Sequence, residues 1–239
     1  CEMKDDGNYV MTEDEKNTFL QNEPQAEKYI HPYMMGKDFI ARKSRYCLWL
    51  KDILPSELKK YPKIMERVKN VREFRLSCPS PDTNHYADKP TFPVRLRYYS
   101  EDRINPALAL PKVSSQNRRY IPMEVIDADV IAGSKLFLIP DISLYLFGVL
   151  TSNVHMAWMR TVCGRLKSDY SYASNVVYNT FPWPEPTDQQ RKKIEQTAQA
   201  ILDARALYPD SSLADLYDEL TMPPELRKAH RQNDMAVMQ

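Results

Sequence analysis

The stretch that decides the fold is VRLRYYSEDRINPALALPKVSSQNRRYIPMEVIDADVIAGSKLFLIP, residues 94–140. Its short β-rich runs are separated by polar residues and prolines, which predicts several short strands joined by turns. In the next stretch, residues 143–166, apolar side chains recur at steps of three and four, which predicts one long, mostly buried helix. The sequence therefore predicts an α+β fold, in which a mixed or antiparallel sheet carries packed helices.

The N-terminal side of this stretch predicts further helices and one strand. Thr12 and the Glu three residues later form a capping box that begins a helix, and Pro24 predicts a second helix ending near Gly36. The alternating, aromatic residues 44–53 predict a strand. Residues 56–77 have helical spacing and many cations, so we expect an amphipathic helix with a cationic face.

The C-terminal side changes character near residue 186. Residues 173–186, ASNVVYNTFPWPEP, predict one more short strand and a stiff exit, because three prolines remove backbone donors. Helical patterns follow, so we predict an α+β domain over 1–186 and a small helical subdomain over 187–239. The last predicted helix reaches residue 239 without a cap and the chain begins with Cys, so we expect a truncated piece of a longer protein.

Composition excludes several classes of protein. The 239 residues, 43% of them hydrophobic, suffice for one substantial core. Apolar runs stay far below the roughly 18 residues that a bilayer span needs, so no membrane partner is expected. The four cysteines are scattered without CxxC spacing, which favours free thiols and a cytoplasmic location.

The net charge of +1 conceals a basic middle section. Residues 1–36 carry a net charge of −5, residues 37–119 carry +10 and residues 120–239 carry −4. Proteins that hold phosphodiesters need positive charge on one surface, because each neutralised phosphate releases counterions. The basic section favours a nucleic-acid partner, and a solvated basic surface flanked by acidic helices is the alternative.

The sequence lacks the local motifs of nucleotide and catalytic sites. Its five glycines are isolated, so neither a Rossmann loop nor a P-loop is present. It contains no GxSxG, no HExxH and no Asn/Asp-Pro-Pro-aromatic loop, since the nearest string, NTFPW at residues 179–183, differs at the second position. The histidines lie too far apart for local metal-ligand spacing. We therefore expect no catalytic group and no metal site in this chain.

One loop, KVSSQNRRY at residues 112–120, combines the residue types that read DNA bases. Asn and Gln side chains pair with adenine, Arg side chains pair with guanine, and Lys and Ser suit phosphate oxygens. A solvated hairpin loop is the alternative. The predicted base readers are Gln116, Asn117, Arg118 and Arg119, and the predicted backbone contacts are Lys112, Ser114 and Ser115.

A second string, GRLKSDYSYAS at residues 164–174, places basic and hydroxyl groups close together. Such groups suit phosphate oxygens, and a helix C-terminal turn with its usual cations is the alternative. Two arginines of the basic run at residues 94–100 are assigned to the DNA backbone as well. These further predicted backbone contacts are Arg165, Lys167, Ser168, Tyr170, Arg95 and Arg97.

The same strings carry a resemblance to a known family. YIHPYMMGKDFIARKSRYCLWLKDI, VSSQNRRYIPMEVI, GVLTSNVHMAWMRTVCGRLKSDYSYASNVVYNTFPWPEP and PPELRKAHRQNDMAVMQ resemble, in this order, the C-terminal third of MmeI-like type II restriction-modification enzymes and related adenine-specific DNA methyltransferases. The resemblance covers almost the whole chain, and its block ending in YNTFPWPEP is highly specific. It implies a target recognition domain over 1–186 followed by a helical C-terminal segment.

The resemblance also implies what lies outside this chain. Such regions follow a γ-type, S-adenosylmethionine-dependent N6-adenine methyltransferase domain, and the cofactor pocket, the Asn-Pro-Pro-Tyr loop and any Mg-dependent PD-ExK nuclease lie upstream. No cofactor is thus expected in this chain. The base readers of the family map onto Gln116 to Tyr120, with Gln116 and Arg118 as the leading pair. Gln116 stands where an acidic residue is common, so the resemblance does not carry a base preference over.

These observations lead to one favoured hypothesis and two others. The chain is expected to recognise a sequence in double-stranded DNA for an upstream methyltransferase domain of the same chain, possibly within a bifunctional restriction-modification enzyme. The alternative is a protein–protein docking module, which would use the acidic helical tail and the Pro-Trp-Pro segment at residues 182–184. An independent enzyme is the third class, and it would need catalytic groups that the sequence does not display.

Overall fold

A computed structural model describes residues 2–94 and 105–239. The strand predicted at residues 94–100 falls almost wholly outside the described residues, and so do Arg95 and Arg97. By their contacts, the described residues form two compact units. The first comprises the described parts of 1–38, 43–104 and 128–134, and the second comprises 39–42, 105–127 and 135–239.

The first unit combines a small sheet with helices. The sheet has the order β1-β3-β2-β7, in which β2 pairs antiparallel with β3 and parallel with β7. Apolar residues of the sheet, such as Cys47 and Leu48, form one buried core with Phe19, Tyr61 and Ile64 from the rest of the unit. The strands are β1 (Val10–Met11), β2 (Ile30–Met34), β3 (Arg45–Leu48) and β7 (Ile131–Ala132), and the helices are α1 (Glu13–Asn22), α3 (Pro55–Leu58), α4 (Pro62–Ser77) and α5 (Pro81–His85), with 3-10 turns at Pro24–Tyr29 and Tyr86–Asp88.

Local signals in this part of the chain succeed where no partner strand competes. The capping box at Thr12 is present and begins α1 as predicted. The helix predicted from Pro24 is wrong beyond Tyr29, because Ile30 to Tyr33 pair with β3 in register. The helix predicted over 56–77 is divided, since α4 begins afresh at a proline in its first turn.

The second unit contains two three-stranded sheets and five α-helices. Its sheets have the orders β5-β10-β9 and β6-β4-β8, and all their pairs are antiparallel. The α2 helix (Gly36–Ala41) contributes its last residues to this unit. The strands are β4 (Ala107–Pro111), β5 (Val113–Ser114), β6 (Glu124–Ile126), β8 (Leu136–Pro140), β9 (Gly164–Leu166) and β10 (Asp169–Ser171), and the helices are α6 (Leu144–Leu150), α7 (Asn153–Val162), α8 (Asp188–Ala206), α9 (Leu213–Leu216) and α10 (Pro224–Met238).

The long helix predicted over 143–166 is instead two helices and a strand. Ser152 caps α7 by accepting from the backbone N–H of His155, so the helix is interrupted just before it. Residues 164–166 form β9, because they pair with β10. The strand predicted within 173–186 is also wrong, since residues 174–180 form turns held by bonds such as Val177 N–H to the Ala173 carbonyl.

Helices α6, α8 and α10 pack tightly in the second unit. A Cβ atom at Gly148 of α6 would lie 2.7 Å from Cγ2 of Ile194, so the absence of a side chain there lets α6 and α8 approach closely. A capping box at Thr187 begins α8. The helices and the mixed and antiparallel sheets confirm the predicted α+β fold. No helix within the described residues is long and apolar enough to span a bilayer.

Candidate nucleic-acid interface

The sheet β5-β10-β9 brings together the two strings that the sequence singled out. Ser114 of β5 pairs with Tyr170 of β10, and Tyr170 pairs with Arg165 of β9. The backbone N–H of Tyr172 donates to the Lys112 carbonyl at 2.8 Å. The recognition loop, which we define as residues 115–120, therefore leaves the same small sheet that carries the 164–171 hairpin.

Hydrogen bonds to the main chain hold the recognition loop. The backbone N–H of Gln116 donates to the Asp169 carboxylate at 3.3 Å, and that of Arg118 donates to the Ser115 carbonyl at 3.1 Å. From α7, Arg160 donates to the Arg119 carbonyl at 2.5 Å. Because these bonds use backbone groups, the side chains of Gln116, Asn117 and Arg119 remain exposed at the surface.

Tyr120 ends the recognition loop inside the protein, where α10 holds it. Its hydroxyl donates to Asp234 at 2.7 Å, and its ring stacks on His230 with a centroid distance of 4.1 Å. The Asp234 carboxylate also accepts from the backbone N–H and the side-chain amide of Asn153 at 2.7 and 2.8 Å. Burial raises the pKa of Tyr120, and the bond to Asp234 raises it further, so the hydroxyl remains a donor.

An open groove of about 390 Å³ lies beside the recognition loop. Four of the five predicted base readers, all except Tyr120, line one part of it, and residues from α7 and from the segment between α9 and α10 line the rest. The groove thus combines amide groups, three arginines and one carboxylate, which is a hydrogen-bonding set suited to base edges. Its lining residues are Gln116, Asn117, Arg118, Arg119, Asn153, Arg160 and Glu219.

Of the four recognition-loop residues that line the groove, Arg118 is the half-buried one. Burial lowers the pKa of its guanidinium, while the carboxylates of Asp218 and Asp169 act in the opposite direction. Arginine stays charged at neutral pH even after such a shift. Arg118 therefore keeps a charged, planar fork of hydrogen-bond donors where it lines the groove.

The 164–171 hairpin presents a second set of polar groups. Lys167 occupies the turn with a φ of 57° and is exposed, as is Ser168. Arg165 lies 3.9 Å from the ring centroid of Tyr170 and donates to the Ser168 carbonyl at 2.8 Å. The helix C-terminal turn considered for this string is absent, because residues 164–171 form a hairpin.

The remaining predicted contacts lie deeper. Lys112 is half-buried, with its ammonium 4.8 Å from the Phe137 ring centroid. Ser114 and Tyr120 are each 2% exposed, and the Ser115 hydroxyl accepts from the backbone N–H of Asn117. Burial argues against direct DNA contact by Ser114 and Tyr120, because their side chains do not reach the surface. We therefore assign Tyr120 to holding the loop rather than to base readout.

Sequence reasoning missed Asn153, Arg160 and Glu219. No local pattern marks Asn153 and Glu219, because the nearest reader, Arg119, is 34 residues from Asn153 and 100 residues from Glu219. A lone arginine within an otherwise apolar helical pattern was the available signal for Arg160. Among residues 2–94 and 105–239, no cluster of three or more His, Cys, Asp and Glu side chains could hold a metal ion.

Comparisons with known proteins place this geometry in context. Residues 1–185 match the family described as MmeI, target recognition domain, and residues 186–239 match MmeI, C-terminal domain. The chain is similar to a solved structure of the Type IIL restriction-modification enzyme MmeI in complex with DNA, with a TM-score of 0.93 and 43% identity over 99% of this chain and 31% of that chain.

The chain is also similar to DNA methyltransferase A of Bacillus subtilis (strain 168). The two are 36% identical over 233 residues, which cover 98% of this chain and 26% of that protein. The chain therefore spans between a quarter and a third of the relatives that it matches.

Proposed function

The chain belongs to the MmeI family, as its target recognition and C-terminal domains, and from this membership we propose that it recognises a duplex DNA sequence for an N6-adenine methyltransferase. The observation that carries the proposal is the recognition loop. Its backbone is held by Asp169, Ser115 and Arg160, while Gln116, Asn117 and Arg119 remain exposed beside an open groove. A loop whose backbone is already held suits base readout, because little backbone ordering opposes binding.

The readers fall into two chemical types, which are proposed to contact different bases. Arg118 and Arg119 donate to the O6 and N7 atoms of guanine, and Gln116 and Asn117 pair with the N6 and N7 atoms of adenine. Each good pair discriminates against a wrong base by about 1–3 kcal/mol. Gln116 and Arg118 remain the leading specificity pair, as the resemblance implies, and both line the groove.

The hairpin and the start of the loop supply the contacts that carry no sequence information. Arg165, Lys167, Ser168 and Lys112 are proposed to bind phosphate oxygens and so fix the register of the protein on the duplex. Arg165 and Lys167 are exposed on the hairpin that shares a sheet with β5. Their charges are expected to contribute affinity for any DNA sequence.

The methyl transfer itself is assigned to a domain outside these residues. That domain would flip the target adenine out of the duplex and bind S-adenosylmethionine, and a nuclease, where the protein has one, would use Mg. The role of this chain is to place the adenine, and no cofactor is assigned to it. We also propose a cytoplasmic location, which the free thiols of Cys47, Cys78 and Cys163 support.

Two alanine substitutions test the readout. Arg118→Ala is expected to weaken binding to the preferred sequence by about 1–3 kcal/mol and to leave binding to random DNA nearly unchanged. Lys112→Ala is the matched control, since loss of a phosphate contact weakens binding to the preferred sequence and to random DNA by similar amounts. Fluorescence anisotropy measures the affinity of each variant for the preferred sequence and for random DNA. Equal losses from the two substitutions would contradict the assignment of Arg118.

A salt titration separates this proposal from the docking alternative. Binding through phosphates predicts a linear fall of log affinity with log salt concentration. The Trp183 ring, which the alternative would use for docking, packs within the second unit at 5.0 Å from Phe181 and 5.1 Å from Tyr178. If the chain fails to bind DNA at every salt concentration tested, the docking alternative is favoured.

A further inference from the structure

The segment between α9 and α10, residues 217–223, is held by hydrogen bonds of its own. Asp218 accepts from the backbone N–H of Leu220 at 2.9 Å, and the Thr221 hydroxyl donates to the Asp215 carbonyl at 2.6 Å. Arg227 of α10 donates to the Glu219 carbonyl at 3.1 Å. The backbone of Glu219 is thus fixed from both sides, and its side chain is exposed.

Glu219 lines the same groove as the four readers of the recognition loop. Arg118, Arg119 and Arg160 line it as well, yet the ion pairs found among the described residues include none within 4.0 Å between Glu219 and an arginine. Its two oxygens therefore keep their capacity to accept hydrogen bonds from a ligand.

A carboxylate on a DNA-binding surface needs a compensating partner. Beside phosphates it would only repel, whereas at a base edge in the major groove it accepts from an exocyclic amino group. The three arginines that line the groove carry only donors, which suit guanine. A negatively charged acceptor beside them extends the set to bases that present an amine.

We propose that Glu219 is a further specificity-determining residue, which accepts a hydrogen bond from the exocyclic amino group of a base, N4 of cytosine or N6 of adenine. The helical C-terminal part of the chain would then take part in base readout together with the recognition loop. This inference rests on the proposed function, because it requires a bound duplex.

Selection from a random duplex library by the 239-residue chain tests the inference first. Glu219→Ala is expected to relax the preference at one base pair by about 10-fold and to keep the preferences elsewhere. Glu185→Ala is the matched control, since it removes an exposed carboxylate outside the groove and changes the net charge equally. It is expected to leave every preference unchanged.

Base analogues then identify the amino group with the unaltered protein. At the position that Glu219→Ala relaxes, 2-pyrimidinone replaces cytosine, or purine replaces adenine, so that only the amino group is lost. The unaltered chain is expected to bind DNA with one of these analogues about 10-fold more weakly than DNA with the natural base. Glu219→Ala is expected to bind the two DNAs equally well, because the contact between the carboxylate and the amino group is already lost.

Two results would overturn the inference. One is a uniform gain of affinity for all sequences in Glu219→Ala, equal to that of Glu185→Ala, because it would mean that the carboxylate acts only through its charge. The other is indifference of the unaltered chain to both analogues at every position. A chain that selects no sequence at all would instead refute the proposed function, so the two failures are distinguishable.

Discussion

Helix α4 and the recognition loop both carry several cations, but the structure uses these charges in opposite ways. In α4, Lys63 and Lys69 pair with glutamates on the same helix at 3.2 and 3.8 Å. Arg72 lies 3.8 Å from Asp88, and Arg75 is fully buried, where it donates to four backbone carbonyls. Much of the cationic face predicted for this helix is therefore engaged within its own unit.

In the recognition loop, by contrast, the hydrogen bonds to the rest of the protein are made by backbone groups. Asp169 and Arg160 bind backbone groups of the loop, and Gln116, Asn117 and Arg119 stay exposed. A cluster of cations in a sequence therefore marks a nucleic-acid surface only where no carbonyl or carboxylate of the same protein already satisfies them. The net charge of +10 over residues 37–119 does not make that distinction.

The largest expected effect is on stability, in α4. Arg75→Met is expected to lower the free energy of unfolding by about 3–5 kcal/mol, because four backbone carbonyls, all at least partly buried, lose their donor. Arg72→Met is the control, because it removes an arginine of the same helix from an exposed ion pair with Asp88. It is expected to change the free energy of unfolding by less than about 0.5 kcal/mol. Denaturant unfolding followed by circular dichroism measures both. Similar small effects would mean that the two arginines are engaged alike.

Acid is expected to lower the free energy of unfolding of the second unit by a slightly smaller amount. His155 is fully buried beside the Tyr172 hydroxyl at 3.1 Å, and burial lowers its pKa from 6.5 to about 4. Because the unfolded state binds the proton more tightly, this group costs up to about 3 kcal/mol of stability as the pH falls from 6.5 to 4. Unfolding at pH 7 and 4.5, with NMR titration of His155, checks this. Titration of His155 near pH 6.5 would contradict it.

A third prediction concerns the end of the recognition loop. Asp234→Asn is expected to cost about 1–3 kcal/mol of stability, because the new amide group faces donors. It is also expected to lower discrimination between preferred and random DNA, since Tyr120 and Asn153 lose their common acceptor. Unfolding and anisotropy assays measure the two effects.

Tyr120→Phe is the matched variant for this cluster. If the hydroxyl acts through Asp234, the double variant loses less stability than the sum of the single losses. Strict additivity, or unchanged discrimination in a folded Asp234→Asn variant, would show that α10 does not position the loop.

The smallest expected effect lies in the hairpin. Lys167→Gly is expected to stabilise the chain by up to about 1 kcal/mol, because glycine accepts the positive φ without steric cost. The same change removes one cation, so the slope of log affinity against log salt should fall by about 1 for all sequences. Lys167→Asn, which also tolerates this φ, is the control for charge loss alone. An unchanged salt slope would remove Lys167 from the phosphate contacts.

Local patterns predicted those elements whose signals lie within a few residues. The capping boxes at Thr12 and Thr187 begin helices because donor and acceptor are three residues apart. The apolar runs at Ala107–Pro111 and Leu136–Pro140 form strands that pair with each other. Patterns failed where a distant partner competed, as at Ile30, which pairs with Leu48 rather than continuing a helix.

In the candidate site, too, some features follow from the local sequence and others from the tertiary structure. The sequence by itself determined the residue types of the recognition loop, since Gln116 to Arg119 are adjacent in the chain, and it determined the capping boxes that begin α1 and α8. Only the tertiary structure decided that Tyr120 is buried against Asp234, that Arg75 is engaged by carbonyls and that Glu219 lines the readers' groove. The physical reason is that burial and competition for hydrogen bonds depend on groups far apart in the chain, which no local spacing records.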